Sequence, residues 1–355
     1  MTKERFYEID LLRFLAALSV VLFHYTFRGF AADDMSPLEF PHLAHVFKYG
    51  ALGVDLFFII SGFVILLTAL NRDAVSFTIS RMTRIYPAYW FSVTLTAIVV
   101  IFFGGNIFSV DLPQYLANLT MLHGYFGVKH VDSVYWSLLV ELKFYFLIFV
   151  LIVFKQIKNI IYFLYVWLAI SLIHHFHPLS GALVFFLFPE WATYFIAGAA
   201  FYLIRLEGHS FSKYAIIVPS YILACMNAID GIPQASAHFD TDFSPTVIVS
   251  IISSFYFIFL LIAARKTNMI NVGFFSLLGA LTYPLYLVHQ NIGFIIFNHF
   301  DSESFKYPVL TLTILLSLAL SVLINKYIER KYSIPLKKLL TKAFTPVAFF
   351  VRDKA

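Results

Sequence analysis

The sequence predicts an all-α polytopic membrane protein with about ten transmembrane helices and both termini in the cytoplasm. Hydrophobic residues make up 60% of the 355-residue chain, charged residues make up 13%, and the mean hydropathy is +0.82. These values lie outside the usage of water-soluble domains. Apolar runs of roughly 20 residues, the length that crosses a bilayer, recur along the whole chain.

The apolar runs define ten expected spans, separated by polar connections near 29–48, 105–134 and 230–245. Pro189 opens the sixth span and Pro219 interrupts the seventh, so these two have the least regular pattern. The expected spans cover residues 10–28, 50–70, 86–104, 135–154, 159–175, 188–206, 214–229, 246–264, 274–297 and 308–325.

The basic residues set the expected orientation. With the N-terminus inside, 20 of the 25 Lys and Arg residues fall on the inner side, as the positive-inside rule requires. The same rule explains the net charge of +5, so no nucleic-acid partner is expected. A single cysteine, Cys225, excludes an intramolecular disulfide.

Arg13 and His24 are unusual because both lie in the first apolar run, "RFLAALSVVLFHY". Eleven steps of an α-helix return to nearly the same face and rise about 16 Å. One helix face is therefore expected to carry a cation near the inner membrane edge and a titratable imidazole about 21 Å deep. Ionisable groups at such depth face protein or water and are candidates for function.

Three more ionisable residues reach a similar depth in the outer half of the bilayer. His289 lies about 22 Å into the ninth span, and Asp55 and Glu141 lie about 8 to 9 Å into the second and fourth spans from the other side. An outer chamber holding these groups and His24 is one interpretation. The alternative is that the carboxylates only join helices, by pairing with Lys143 or a tyrosine.

Arg81 and Arg84 stand three residues apart in "SRMTRIYPAYW", before the third span, and therefore share a helical face. With Arg13 they are expected to form a basic inner mouth suited to phosphate groups. For any single arginine, ordinary positive-inside charge is the better explanation. Composition does not separate the two interpretations.

Five ordered segments resemble the signature segments of the acyltransferase 3 family of membrane acyltransferases. The resemblance runs from the first span to "YIERKYSIPLKKL" (327–339), and the segments are "RFLAALSVVLFHY", "GVDLFFIISGFVI" (53–65), "RMTRIYPAYW" (81–90), "YWSLLVELKFYF" (135–146) and "TYPLYLVHQ" (282–290). It implies one membrane acyltransferase domain over 1–345 and a short cytoplasmic tail over 346–355. Some relatives continue into an extra span and an SGNH-type hydrolase domain, for which this chain is expected to be too short.

The resemblance also implies a reaction. The family moves an acyl group, usually acetyl, from cytoplasmic acyl-CoA to an extracytoplasmic hydroxyl. The expected partners are a surface polysaccharide or lipid-linked saccharide and membrane lipid, at the inner membrane of a bacterium. Acyl-CoA is the expected co-substrate, and no metal is expected. By the matching motifs, Arg13, Arg81 and Arg84 bind CoA, and the catalytic residues are His24, Asp55 and Glu141.

The Arg13 to His24 distance matches the thin, uncharged pantetheine arm of CoA. The phosphates would stay at the arginines while the thioester reaches His24, oriented by Asp55 or Glu141 and acting as general base. An acyl-histidine intermediate is the rival chemistry. The substrate-binding prediction is that Tyr283, Tyr286 and His289 line the acceptor path.

A different class of function stays open at this point. Intramembrane His, Asp, Glu and Arg also describe a proton-coupled small-molecule transporter or flippase, in which no bond is made. The division into a basic inner mouth and an outer histidine and acid cluster favours the enzyme. A scaffold without chemistry explains the buried charges worst.

Overall fold

The computed structural model describes residues 6–267 and 272–352. Within these ranges the chain consists of helices and loops and has no strand, which confirms the all-α expectation. The α-helices are α1 (Tyr7–Phe23), α2 (Gly29–Ala31), α3 (Pro41–Phe47), α4 (Gly53–Ala69), α5 (Ala74–Phe103), α6 (Leu112–Asn118), α7 (Trp136–Val153), α8 (Ile160–Phe176), α9 (Ala182–Leu187), α10 (Pro189–Glu207), α11 (Phe211–Asp230), α12 (Ile232–Phe239), α13 (Pro245–Ala263), α14 (Gly273–Val288), α15 (Gln290–His299), α16 (Lys306–Leu323) and α17 (Arg330–Arg352).

Nine helical stretches in the described residues are long and apolar enough to cross a bilayer, and each overlaps one expected span. The expected ninth span, 274–297, is interrupted. The helix α14 ends at Val288, His289 lies between the helices, and α15 begins at Gln290. Tyrosine hydroxyls from other parts of the chain hydrogen-bond the carbonyls of Leu287 and His289, which satisfies backbone groups at the interruption.

The expected membrane orientation and the expected domain boundary at 345 stay predictions. Residues 1–5 and 353–355 lie outside the described residues, and they include Lys3, Arg5 and Lys354, which were counted for orientation. The expected boundary at 345 falls within α17, which continues to Arg352.

Close helix contacts occur where glycines face a neighbouring backbone. Gly62 of α4 lies against the carbonyl of Phe195, and Gly198 of α10 lies against the carbonyl of Ile59, so a Cβ at either glycine would overlap a carbonyl oxygen. Small residues allow this approach between membrane helices. The pair explains why "IISGF" in α4 and "AGAA" in α10 meet tightly.

The helix α1 lies at the centre of the candidate site and packs against both α4 and α14. Gly53 at the start of α4 contacts the Ala16 carbonyl, and Gly279 in α14 contacts the Asp10 side chain. At His24 the α-helical winding changes to a π-helical segment, His24–Arg28. Such segments are rare and recur at functional sites.

Candidate active site

A cavity of about 120 Å³ separates α1, α4, α5, α7 and α14. All three predicted CoA-binding arginines line it: Arg13 from α1 and Arg81 and Arg84 from α5. Arg13 is close enough to Arg84 and Glu141 for their charges to interact. The sequence therefore brings together three cations that are 68 to 71 positions apart, or three apart, in the chain.

Arg81 is held at this cavity without being fully satisfied. Its guanidinium lies 6.0 Å from the ring centroid of Phe77 and 5.9 Å from that of Tyr145, positions that favour cation–π attraction. Its Nε is buried and has no hydrogen-bond partner among the described residues. A buried donor without an acceptor is costly, so an anionic ligand at this point would satisfy it.

Glu141 lies in the arginine cavity, and its carboxylate accepts a hydrogen bond from Ser61. It is also close to Arg13 and Arg81, so it offsets part of the positive charge. The predicted outer chamber had placed Glu141 with His24, but His24 is not among the residues that line this cavity. The catalytic role of Glu141 stays a prediction.

Tyr283 and Tyr286 line the same cavity from α14. The Tyr283 hydroxyl donates to the carbonyl of Ile85 at 3.3 Å, and the Tyr286 hydroxyl lies 2.7 Å from that of Ser137. The ring of Tyr286 is 5.7 Å from the ring of His289, centroid to centroid. Tyr286 therefore connects the arginine cavity to the histidines, and the role of Tyr283, Tyr286 and His289 in the acceptor path stays a prediction.

His24 and His289 form a buried pair, with His24 Nδ1 2.9 Å from His289 Nε2. His289 Nδ1 lies 2.9 Å from the carbonyl oxygen of Tyr286 and 3.2 Å from that of Leu285. A carbonyl only accepts, so in neutral rings Nδ1 of His289 carries the proton and its Nε2 accepts from His24 Nδ1. The Nε2 atom of His24 then carries a lone pair.

This arrangement differs from the expected one at a single position. The nitrogen of His24 that an orienting carboxylate would hold is occupied by His289. Asp55 instead hydrogen-bonds the Tyr194 hydroxyl on α10. The structure thus brings His24 and His289 together and directs Asp55 towards another helix, so the catalytic role of Asp55 stays a prediction.

The sequence analysis missed a polar clamp at the interruption after His289. The buried carboxylate of Asp132 accepts from the backbone N–H of Asn291 at 3.0 Å, and the Asn291 side chain donates to the carbonyl of Val131. Burial raises the pKa of Asp132 to about 6, against the effect of the hydrogen bonds that its carboxylate accepts from the backbone N–H groups of Asn291 and Val134. The signal was available in "VHQN", two amides directly after the histidine in an apolar run.

The Tyr25 side chain also supports the backbone of His289. Its hydroxyl donates to the carbonyl of His289 at 2.6 Å and lies 2.9 Å from the hydroxyl of Ser317. Hydrogen bonds therefore hold His24 through its contact with His289, and hold His289 through both its ring and its carbonyl.

A protein-family model described as "Acyltransferase domain" matches residues 6–326, which covers all the helices that build this site. The chain belongs to the acyltransferase 3 family. Its relatives include an acyltransferase, MdmB, from Streptomyces mycarofaciens, 28% identical over 38% of this chain and 36% of that protein. Nodulation protein 10 from Rhizobium leguminosarum is 29% identical over 38% of this chain and 41% of that protein.

A third relative of this chain is the peptidoglycan O-acetyltransferase OatA of Listeria monocytogenes, 27% identical over 42% of this chain and 25% of that protein. The matched stretches span between a quarter and about two fifths of these relatives. No solved structure matches the chain. The family assignment therefore rests on the family model, and the finer activity is a matter for proposal.

Proposed function

We propose that this acyltransferase transfers an acyl group, acetyl by default, from cytoplasmic acyl-CoA to a hydroxyl of an extracytoplasmic glycan or lipid-linked sugar, in a bacterial inner membrane. The observation that carries the proposal is the contact of Tyr286 with both the arginine cavity and the His24–His289 pair. The saccharide acceptor is supported by the relative named a peptidoglycan O-acetyltransferase.

The arginines at the cavity suit the phosphate groups of acyl-CoA in charge and in hydrogen-bond donors. Arg81 has an unsatisfied buried Nε and Arg84 is exposed, so together they can bind phosphate oxygens by charge-assisted hydrogen bonds. Arg13 extends the positive charge onto α1. When bound, acyl-CoA supplies the acyl group as a thioester and leaves as the free thiol.

His24 is the proton acceptor in this proposal. The lone pair on its Nε2 takes the proton of the acceptor hydroxyl as the new C–O ester bond forms and the C–S bond breaks, and that proton ends on the thiol. His289 holds Nδ1 of His24, and the Tyr286 carbonyl holds His289. Because His289 is held in one tautomer by the Tyr286 carbonyl, the His24 imidazole also keeps one tautomer before substrate binds.

The direct test is acetyl transfer from labelled acetyl-CoA to a glycan acceptor by the purified protein in lipid nanodiscs. His24→Ala should lower the transfer rate by at least about 100-fold while leaving the protein folded and acetyl-CoA bound. His177→Ala, which changes an exposed histidine away from the cavity, is the matched control. Substrate translocation without transfer in the wild-type protein would instead support the transporter.

A rapid-quench experiment separates the two chemistries at His24. A general base acts only when acceptor is present, whereas a nucleophile releases one equivalent of CoA without acceptor. We expect no burst, because the attack of the hydroxyl needs only one accessible thioester. A stoichiometric burst with an acyl-labelled, chemically competent His24 would overturn base catalysis and leave the transferase in place.

A further inference from the structure

A second cavity, which we call the outer cleft, lies on the side of α1 beyond His24. Its volume is about 470 Å³, within the range of roughly 300 to 1,000 Å³ typical of small-molecule sites. Its walls come from two of the polar connections seen in the sequence, 29–48 and 230–245, and from the end of the first span. The residues used below are Phe27, Phe30, Glu39, Lys48, Phe239 and Asp240.

Aromatic rings form one wall of the outer cleft and continue to the histidine. The rings of Phe27 and Phe239 are 5.1 Å apart between centroids. Phe23 lies 5.9 Å from Phe239 and 5.2 Å from His24. The Phe30 ring is 47% exposed, so it offers an apolar surface to a ligand. Covering this surface with a ligand would be favourable.

The polar groups of the outer cleft favour hydroxyls as ligands. Glu39 and Asp240 are exposed carboxylates, which only accept hydrogen bonds. Asp240 also has a positive φ of 45°, a conformation that is uncommon outside glycine and recurs at functional sites. A sugar has both complementary features, since it carries an apolar C–H face and a rim of O–H donors.

The nearby cations argue against an anionic ligand. Lys48 Nζ already donates to the carbonyl of Asp242 at 2.6 Å. Arg28 is paired with Asp33, with N and O 3.2 Å apart. Lys48 keeps its charge in this contact, but Glu39 and Asp240 outnumber it among the lining residues, so a negatively charged ligand would meet net repulsion.

We propose that the outer cleft binds the acceptor as an uncharged saccharide, with a sugar ring on Phe30 and Phe27 and its hydroxyls on Glu39 and Asp240. The inference rests on the proposed function, because it assigns the acceptor side of that reaction. Thr26 and Phe27, which line the cleft, belong to the π-helical segment that starts at His24. These two residues are two and three positions after His24, so the acceptor would sit next to the segment that carries the proposed base.

The probe is a neutral tetrasaccharide of N-acetylglucosamine, chosen because one relative is named a peptidoglycan O-acetyltransferase. Its equilibrium binding to the protein in nanodiscs and its KM as acceptor are both measured, alongside the KM of acetyl-CoA. The variants are Phe30→Ala and Glu39→Gln, both of exposed residues. Phe126→Ala and Glu303→Gln change an exposed ring and an exposed carboxylate outside the cleft and serve as matched controls.

We expect each cleft variant to weaken tetrasaccharide binding and raise its KM by about fivefold or more, equivalent to about 1 kcal/mol, with the KM of acetyl-CoA unchanged and the controls within twofold. Weakened binding without any transfer would support the cleft and count against the transferase. Normal tetrasaccharide binding and KM in both cleft variants would overturn the cleft and leave the transferase standing. A wild-type protein that binds no tetrasaccharide, or binds an anionic oligosaccharide more tightly, would also overturn it.

Discussion

Two hydrogen-bonded histidine pairs occur in the described residues, and they differ in their surroundings. His24 and His289 lie between helices, 2.9 Å apart between ring nitrogens. His123 and His130 lie in the connection before α7, 2.7 Å apart. In the first pair a backbone carbonyl fixes the tautomer, whereas in the second pair Nδ1 of His123 is buried without a hydrogen-bond partner among the described residues.

The difference shows that a pair of imidazoles is not a site by itself. The His24 pair adjoins a cavity with three arginines through Tyr286 and has one lone pair left over for chemistry. Neither His123 nor His130 lines that cavity. We therefore expect the first pair to control the reaction and the second pair to control the stability of its loop.

The largest effect expected is on the rate of transfer. His24→Ala removes the proton acceptor and should lower kcat by about 100-fold to 10,000-fold, the range of general-base catalysis. His123→Ala removes a buried imidazole of the other pair and should leave kcat within about threefold, because His123 does not line the arginine cavity. Steady-state transfer rates of the two folded variants make the measurement. Equal losses in both variants would break the contrast between the pairs.

The next effect concerns the binding of the donor. Arg81→Ala removes charge-assisted hydrogen bonds and should raise the Kd of acetyl-CoA by about tenfold or more, since each such bond contributes roughly 1.5 to 3 kcal/mol. Arg81→Lys keeps the charge but not the bidentate geometry, so its Kd for acetyl-CoA should lie between those of the wild type and Arg81→Ala. Lys158→Ala, at an exposed lysine on the same expected side, is the control. Unchanged affinity for CoA in Arg81→Ala and Arg84→Ala would exclude a phosphate site here.

The sequence predicted the helices and the arginine cluster well because both depend on local pattern. Long apolar runs specify spans, and Arg81 and Arg84 share a face by helical spacing alone. It also gave the similar depth of His24 and His289, which do meet. The sequence did not predict how α4 and α7 are rotated about their own axes. Asp55 and Glu141 were therefore expected at His24, but Asp55 contacts Tyr194 and Glu141 contacts Ser61.

The amides of "VHQN" were visible in the sequence, but their pairing with Asp132 could not be predicted because Asp132 and Asn291 are 159 positions apart. Asp132 and Asn291 meet only when the connection before α7 folds onto the interruption after His289. Polar residues at a helix interruption look like an ordinary loop in the sequence. Their burial, which makes them a support for His289, depends on the tertiary structure.

A smaller effect is expected from Asp132 as a positioning residue. Asp132→Ala should lower kcat about tenfold, because a hydrogen bond to a charged group contributes roughly 1.5 to 3 kcal/mol, with the KM of acetyl-CoA unchanged. Asp132→Asn keeps an oxygen acceptor and should recover part of the rate. Since the pKa of Asp132 is raised to about 6, wild-type kcat should fall below that pH, and this limb should weaken in Asp132→Asn. A matching rise in the KM of acetyl-CoA would indicate general damage to the fold.

The smallest effect is a loss of stability in acid at the other pair. Burial, and then the charge of His130, lower the pKa of His123 to about 4 from its ordinary 6.5. In the unfolded loop His123 therefore binds a proton below pH 6.5, whereas in the folded loop it binds one only below about pH 4. Between these two values, each decrease of one pH unit lowers the free energy of opening the loop by up to about 1.4 kcal/mol.

Hydrogen exchange of residues 111–132 at pH 7 and pH 5 measures that loss, because exchange reports local opening. Protection should fall at pH 5 in the wild-type protein. His123→Gln cannot take up the proton and should show a smaller difference between the two pH values, whatever its stability at pH 7. His177→Ala should behave like the wild type, since His177 is exposed and lies elsewhere. The same acid loss in His123→Gln would assign the pH dependence to other groups, such as His130, and would remove the proposed division of roles between the two histidine pairs.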